Sequence, residues 1–196
     1  MVEFVDPNWE LVARAVLAQP RNARAILERF EISRERLLPL CRPPEEGDPY
    51  GRKVLFRSED LEVMLATWTS GAECLPHDHG FSSGTVWLAA GRFTERRFML
   101  GDDLDEVGTM IIRQSGAFVH VTDDDIHSMR SLDAGISLHV YSPPVHAMKV
   151  YDKGSRSTLT VSDDCGAWVP RDEAQIRKRA GWAHKPSIDE ERSNAR

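Results

Sequence analysis

Apolar positions along this chain change their period near residue 50. From Asp6 to Cys41 they recur at helical spacing, as in Leu11, Ala15 and Leu17 and then Ala25, Ile26 and Phe30, with Pro20 breaking the run. Two or three short helices are predicted there. Arg42-Pro43-Pro44-Glu45-Glu46-Gly47-Asp48-Pro49 is a segment of turn residues, and beyond it apolar and polar residues alternate with the two-residue period of strands. The predicted strands are Arg52–Phe56, Leu61–Trp68, Thr85–Leu88, Arg92–Met99, Met110–Arg113, Ala117–Val121, His127–Arg130, Ile136–Tyr141, Met148–Asp152 and Ser157–Val161. Many short strands broken by Gly and Asp clusters point to an all-β sandwich or barrel. A final helix is expected over Arg171–Ala180, followed by a polar end that frays and holds His184 without a role. The whole reads as one domain, residues 1–196, with a helical extension over 1–48, a β core over 50–162 and a tail over 163–196.

Composition narrows the picture. A chain of 196 residues with 41% apolar content can bury a sizeable core. A net charge of −6 argues against a nucleic-acid partner. No apolar run approaches the roughly 20 residues that cross a bilayer. Glu3, Asp6 and Glu10 stand where a signal peptide would be cationic and then apolar, so a cytoplasmic location without membrane contact is expected. The three cysteines, Cys41, Cys74 and Cys165, form neither a disulfide framework nor a CxxC zinc pair. The sequence sets no oligomeric state.

The candidate chemistry lies in two glycine-bounded blocks, Gly71-x5-His77-Asp78-His79-x4-Gly84-x6-Gly91 and Gly116-x5-Thr122-x-Asp124-x2-His127. In an extended strand, residues i and i+2 share a face, so His77 and His79 can meet one metal ion while Asp78 points away. His127, on a later strand, completes a site of three imidazoles. Cys74 is expected on the opposite face, with Pro76 disturbing simple pairing. Asp123-Asp124-Asp125 lacks the ligand spacing of an EF-hand and reads as a solvated turn. His120 and His146 read as structural, and Trp68, Trp87, Phe93 and Phe98 as core.

The two blocks resemble the paired motifs of the cupin superfamily. The first matches at every fixed position except that Gly84 fills the slot that usually carries a glutamate ligand. The second keeps Gly116 and His127, with Thr122, Asp124 and Ser131 in its other slots. Two further elements, Tyr50-Gly51-Arg52 and Ser137-Leu138-His139-Val140-Tyr141-Ser142-Pro143-Pro144, resemble the YxR and SLHxYSPP elements of the cysteine dioxygenase family, in colinear order from Tyr50 to Tyr151.

The resemblance implies a cupin barrel, a double-stranded β-helix of jelly-roll type. It implies His77, His79 and His127 as Fe(II) ligands, Arg52 and Tyr50 as holders of a substrate carboxylate, and Ser137 and His139 as a relay that orients Tyr141. It also implies a cis bond between Ser142 and Pro143. Mammalian members crosslink that tyrosine to a cysteine at the position of Gly84, so the thioether cannot form here, as in bacterial members with glycine. The implied activity uses O2 to oxidise a small carboxylate-bearing thiol, first of all L-cysteine, to its sulfinic acid.

The residue chemistry agrees with that activity. Three neutral imidazoles leave a metal its full charge, which suits a thiolate. Transfer of both oxygen atoms to sulfur gives a sulfinic acid. The planar donor fork of Arg52 suits a carboxylate. The alternatives are 3-mercaptopropionate, whose dioxygenases usually carry glutamine in place of the arginine, or another thiol such as mercaptosuccinate. A cupin using Mn, Ni or Zn for decarboxylation or isomerisation would want the carboxylate ligand that Gly84 denies. A non-catalytic cupin that binds a small molecule is the reading from another class.

Overall fold

The computed structural model describes residues 7–182. Glu3, Asp6, His184 and the polar end of the tail lie outside the described residues. Helix α1 (Trp9–Ala18) starts at Asn8, whose side chain accepts the Leu11 N–H, and stops just before Pro20. Helix α2 (Ala23–Arg29) and the short α3 (Arg34–Leu37) follow, α3 capped by the Ser33 hydroxyl.

The strands are β1 (Tyr50–Arg57), β2 (Glu62–Trp68), β3 (Ser83–Ala90), β4 (Arg92–Leu100), β5 (Leu104–Gln114), β6 (Phe118–Val121), β7 (Ile126–Ser131), β8 (Gly135–Ser142), β9 (Lys149–Asp152), β10 (Ser157–Val161) and β11 (Ile176–Gly181). They pair antiparallel in one five-stranded sheet, β1-β2-β8-β3-β6, and two three-stranded ones, β5-β4-β7 and β11-β10-β9. His77 joins the two smaller sheets. It exchanges backbone hydrogen bonds of 2.9 and 3.0 Å with His127 of β7, and it also bridges Val150 of β9. The neighbouring bonds from Asp78 N–H to the Lys149 carbonyl and from Tyr151 N–H to the Pro76 carbonyl continue that seam. The result is a two-walled cupin barrel.

The period of two decides what each face of the larger sheet does. Ile136, Leu138 and Val140 of β8, with Val63 and Leu65 of β2, pack under the helices against Val12, Val16 and Leu37. The alternate residues, Met64, Ala66 and Trp68 of β2 and Tyr141 of β8, face the barrel interior. The N-terminal helices therefore cover the outer face of the sheet that carries part of the site. Leu37 is fully buried there. Leu37→Ala is expected to lower stability by about 2–5 kcal/mol, through lost transfer energy and the cavity left behind; urea unfolding followed by circular dichroism measures it.

The ten predicted strands all form, with ends moved by a few residues; β5 is the exception, starting six residues earlier than Met110. The helix expected over Arg171–Ala180 does not form. A 3-10 turn at Glu173–Gln175 leads instead into β11, which pairs with β10 from Ser157↔Gly181 to Val161↔Ile176. This strand is an edge whose side chains are almost all exposed, so burial imposes no alternation on its sequence. Its Arg177, Lys178 and Arg179 are the kind of charges that keep an open edge from pairing further. No helix among the described residues is long and apolar enough to cross a membrane.

Candidate metal centre

The histidine pair does not sit in a regular strand. His77 and His79 belong to the connecting segment that forms the seam, and His127 to β7. The three rings nevertheless converge. Their centroids are 4.8 to 5.1 Å apart, and one ligand nitrogen from each lies within 4.8 Å of the others. All three residues are buried. Asp78 points away as expected. Its carboxylate accepts the Lys149 backbone N–H, the Lys149 ammonium and the Tyr151 hydroxyl, which ties the seam to β9.

Hydrogen bonds on the far side of two rings fix their tautomers. His77 Nδ1 is 2.9 Å from the Leu75 carbonyl oxygen, which can only accept, so the proton is on Nδ1 and the Nε2 lone pair is free. His127 Nδ1 lies 3.3 Å from Glu95 Oε1 with the same consequence. His79 Nδ1 is buried with no partner. Burial, reinforced by His127, lowers the pKa of His77 to about 3, and burial also holds His79 well below its ordinary value. Buried, mutually facing imidazoles, two of them kept neutral by burial and one with an unpartnered Nδ1, are a poor resting arrangement for polar groups and a good one for a cation. The residues fit a divalent transition metal.

Glu95 was not anticipated from the sequence. It is 1% exposed and accepts from the Arg113 guanidinium at 2.6 and 2.9 Å as well as facing His127. Burial pushes its pKa up, but the hydrogen bonds from His127 and Arg113 prevail and hold it at about 2. An ionised carboxylate behind a metal-binding imidazole orients the ring and raises its basicity. The signal was there: Glu95 falls two residues after Phe93, in the inward phase of β4.

Facing the histidines across the same cavity stands a chain of hydrogen bonds. Trp68 Nε1 lies 2.9 Å from Ser137 Oγ, Ser137 Oγ lies 2.8 Å from His139 Nε2, and His139 Nδ1 lies 2.9 Å from the Tyr141 hydroxyl. Tyr141 packs 5.5 Å from His79, ring to ring. Ser137, His139 and Tyr141 are therefore joined by hydrogen bonds, and Trp68, read from the sequence as core alone, begins the chain. An indole can only donate. Ser137 oxygen accepts from it, and the serine proton then finds its acceptor in His139 Nε2. His139, kept neutral by burial with a pKa of about 3, carries its proton on Nδ1 and gives it to the Tyr141 oxygen. The Tyr141 O–H is left to point into the cavity. Burial, with Tyr50 and Glu62 adding to it, raises Tyr141 well above its ordinary pKa, so it remains a donor at neutral pH.

Arg52 lines an adjoining cavity that also touches His77, His79 and Tyr141. Its Nη2 is 2.6 Å from Oε1 of the fully buried Glu62. The Tyr50 hydroxyl accepts the Ala167 N–H at 3.0 Å, which leaves its own proton to donate. The bond between Ser142 and Pro143 is cis. Gly84 lies opposite Tyr141 in the β3–β8 register, and a Cβ there would come within 2.6 Å of Tyr141 Cδ1, so the ring occupies space that a side chain would need.

The expectation for Cys74 is corrected. It lines the histidine cavity, with Sγ 3.9 Å from His77 Nδ1 and accepting the Met129 N–H at 3.2 Å. Strand alternation does not hold through Pro76. Burial pushes its thiol up to about 12, so it is no thiolate ligand. His120 meets Thr85 at 3.1 Å, His146 meets Asp163 at 3.0 Å, and Asp125 closes the turn onto Thr122, all structural contacts.

Among solved structures, the chain is similar to KdgF from Halomonas sp., with 17% identity over 51% of this chain and 84% of that one and a TM-score of 0.43. It is similar to an RmlC-like cupin from Shewanella frigidimarina, with 20% identity, coverage of 53% and 84%, and a TM-score of 0.43. A protein with a double-stranded β-helix domain from Klebsiella pneumoniae gives 19% identity, coverage of 55% and 86%, and a TM-score of 0.43. No curated protein matches the chain. Residues 48–154, a span that holds the histidines, the relay and Arg52, match the family model of cysteine dioxygenase type I, and the chain belongs to that family.

Proposed function

We propose that the protein is an iron(II) thiol dioxygenase that uses O2 to convert a small carboxylate-bearing thiol, L-cysteine first, to its sulfinic acid. The observation that carries this reading is the meeting of three buried histidines and the Tyr141 hydrogen-bond chain in one cavity. His77, His79 and His127 would hold the metal, which when bound supplies coordination for the thiolate and the redox chemistry that activates O2. Arg52 would hold the substrate carboxylate through the donors that Glu62 does not use, with Tyr50 donating beside it. Tyr141 presents a proton to the reacting groups from a fixed direction, since Ser137 and His139 hold it in place. With His139 neutral down to about pH 3 and Tyr141 protonated far into the alkaline range, the relay keeps one protonation state across physiological pH. The apolar walls, Val86, Leu88 and Phe93 among them, exclude bulk water.

Arginine at position 52 favours cysteine over 3-mercaptopropionate. The test is O2 uptake by protein loaded anaerobically with iron(II) and given each thiol separately, with sulfinic acid detected by mass spectrometry. Uptake matched by sulfinate, faster with cysteine, is the expected result; no uptake with either thiol at full iron occupancy overturns the reading. A second expectation tests the direction of the relay. Trp68→Phe removes only its first donor, so kcat should fall about ten-fold, the scale of one lost hydrogen bond, while KM changes little. An unchanged kcat would remove Trp68 from the relay.

A further inference from the structure

Arg52 is not a lone guanidinium. Glu62, at the start of β2, is fully buried and shared between two arginines: Oε1 accepts from Arg52 Nη2 at 2.6 Å, and Oε2 accepts from Arg57 Nε and Nη2 at 3.2 and 2.8 Å. Glu62 lies in register opposite Tyr141 and lines the same cavity as Arg52, His77 and His79. Two guanidiniums against one carboxylate leave a single net positive charge in a nearly dry wall, where Arg52 is 12% exposed. Such a surplus is matched by one substrate carboxylate. A second would meet Glu62, which already takes one edge of the Arg52 fork.

We propose that Glu62 and Arg57 are positioning residues that set the charge of the substrate subsite, so that it takes small thiols with one carboxylate and rejects those with two. This deepens the function proposed above and rests on the assignment of Arg52 to the substrate carboxylate. Glu62 holds the guanidinium in one orientation, and Arg57 anchors the other oxygen of Glu62 while restoring the positive charge that Glu62 cancels. Selection arises from the balance of the three groups.

The matched probes are 3-mercaptopropionate and mercaptosuccinate, which differ by one carboxylate. Binding of each to anaerobic, iron(II)-loaded protein is measured by calorimetry. The parent protein is expected to prefer 3-mercaptopropionate by about ten-fold or more, the scale of one charge step a few ångströms away in a partly screened site. Glu62→Gln keeps the shape and adds net positive charge, and should shrink that preference about ten-fold. Arg57→Gln removes positive charge and should widen it while weakening both ligands. A purely structural role would move both variants alike, so ratios that shift together or stay put overturn the proposal. Should Glu62→Gln fail to fold, an unchanged ratio in Arg57→Gln, whose side chain is 32% exposed, overturns it alone. Arg52→Ala separates the two readings: if 3-mercaptopropionate binds that variant as tightly as the parent, the carboxylate assignment itself is wrong.

Discussion

His127→Ala should bind iron(II) at least about a hundred-fold more weakly than the parent chain and show no measurable thiol oxidation. Loss of an outer contact to a metal-binding imidazole alone typically costs ten- to a hundred-fold in affinity, and loss of the imidazole itself costs more. Here one of three converging ring nitrogens disappears, and Glu95 loses its contact at 3.3 Å while keeping Arg113. The variant should fold, because the ring removed belongs to the polar lining of the cavity and the apolar core under the helices is untouched. Anaerobic competition against a chromogenic chelator reads the affinity, and thermal unfolding without metal checks the fold. Iron affinity equal to the parent's would remove His127 from the metal site.

Arg52→Gln is the second large effect. The expected outcome is a KM for L-cysteine raised about a hundred-fold with a much smaller change in kcat. Truncating one partner of a buried, hydrogen-bonded charge pair costs about 2–5 kcal/mol, and a hundred-fold corresponds to about 3 kcal/mol. The split between the two constants carries the meaning: a clamp that grips substrate and transition state alike changes KM. Arg52→Lys should rescue little, because an ammonium cannot serve Glu62 and a substrate carboxylate through one planar fork. Steady-state kinetics over a wide thiol range measure both variants. An Arg52→Gln enzyme with unchanged KM would sink the carboxylate assignment.

Much of this architecture was legible in the sequence because burial wrote it there. In β8, Ile136, Leu138 and Val140 face the helices while Ser137, His139 and Tyr141 face the cavity, and that alternation is visible as text. The glycine spacing placed the three histidines together without any view of the fold. What escaped follows from the same physics. β11 is exposed on nearly every residue, so nothing marks its period, and its basic run reads as a polar helix. Cys74 was assigned to the wrong face because Pro76 ends the regular strand geometry on which face counting depends. Glu62 and Glu95 sit in the inward phase of their strands, and a lone charge in a core phase is a signal that pattern reading passes over. Trp68 looked like ordinary core because its indole body is core, and only its nitrogen does anything else.

The backbone seam at His77 has a consequence for how the centre is assembled. His77 and His127 are directly opposed partners in an antiparallel bridge that exchange both hydrogen bonds, so the gap between their α-carbons is set by the lattice of the sheet, about 5.5 Å in such a pair. Two jaws of the proposed metal clamp are thus machined to width when the protein folds. An ion bound there would find its gauge already cut, and little of the binding energy would go into ordering the chain around it.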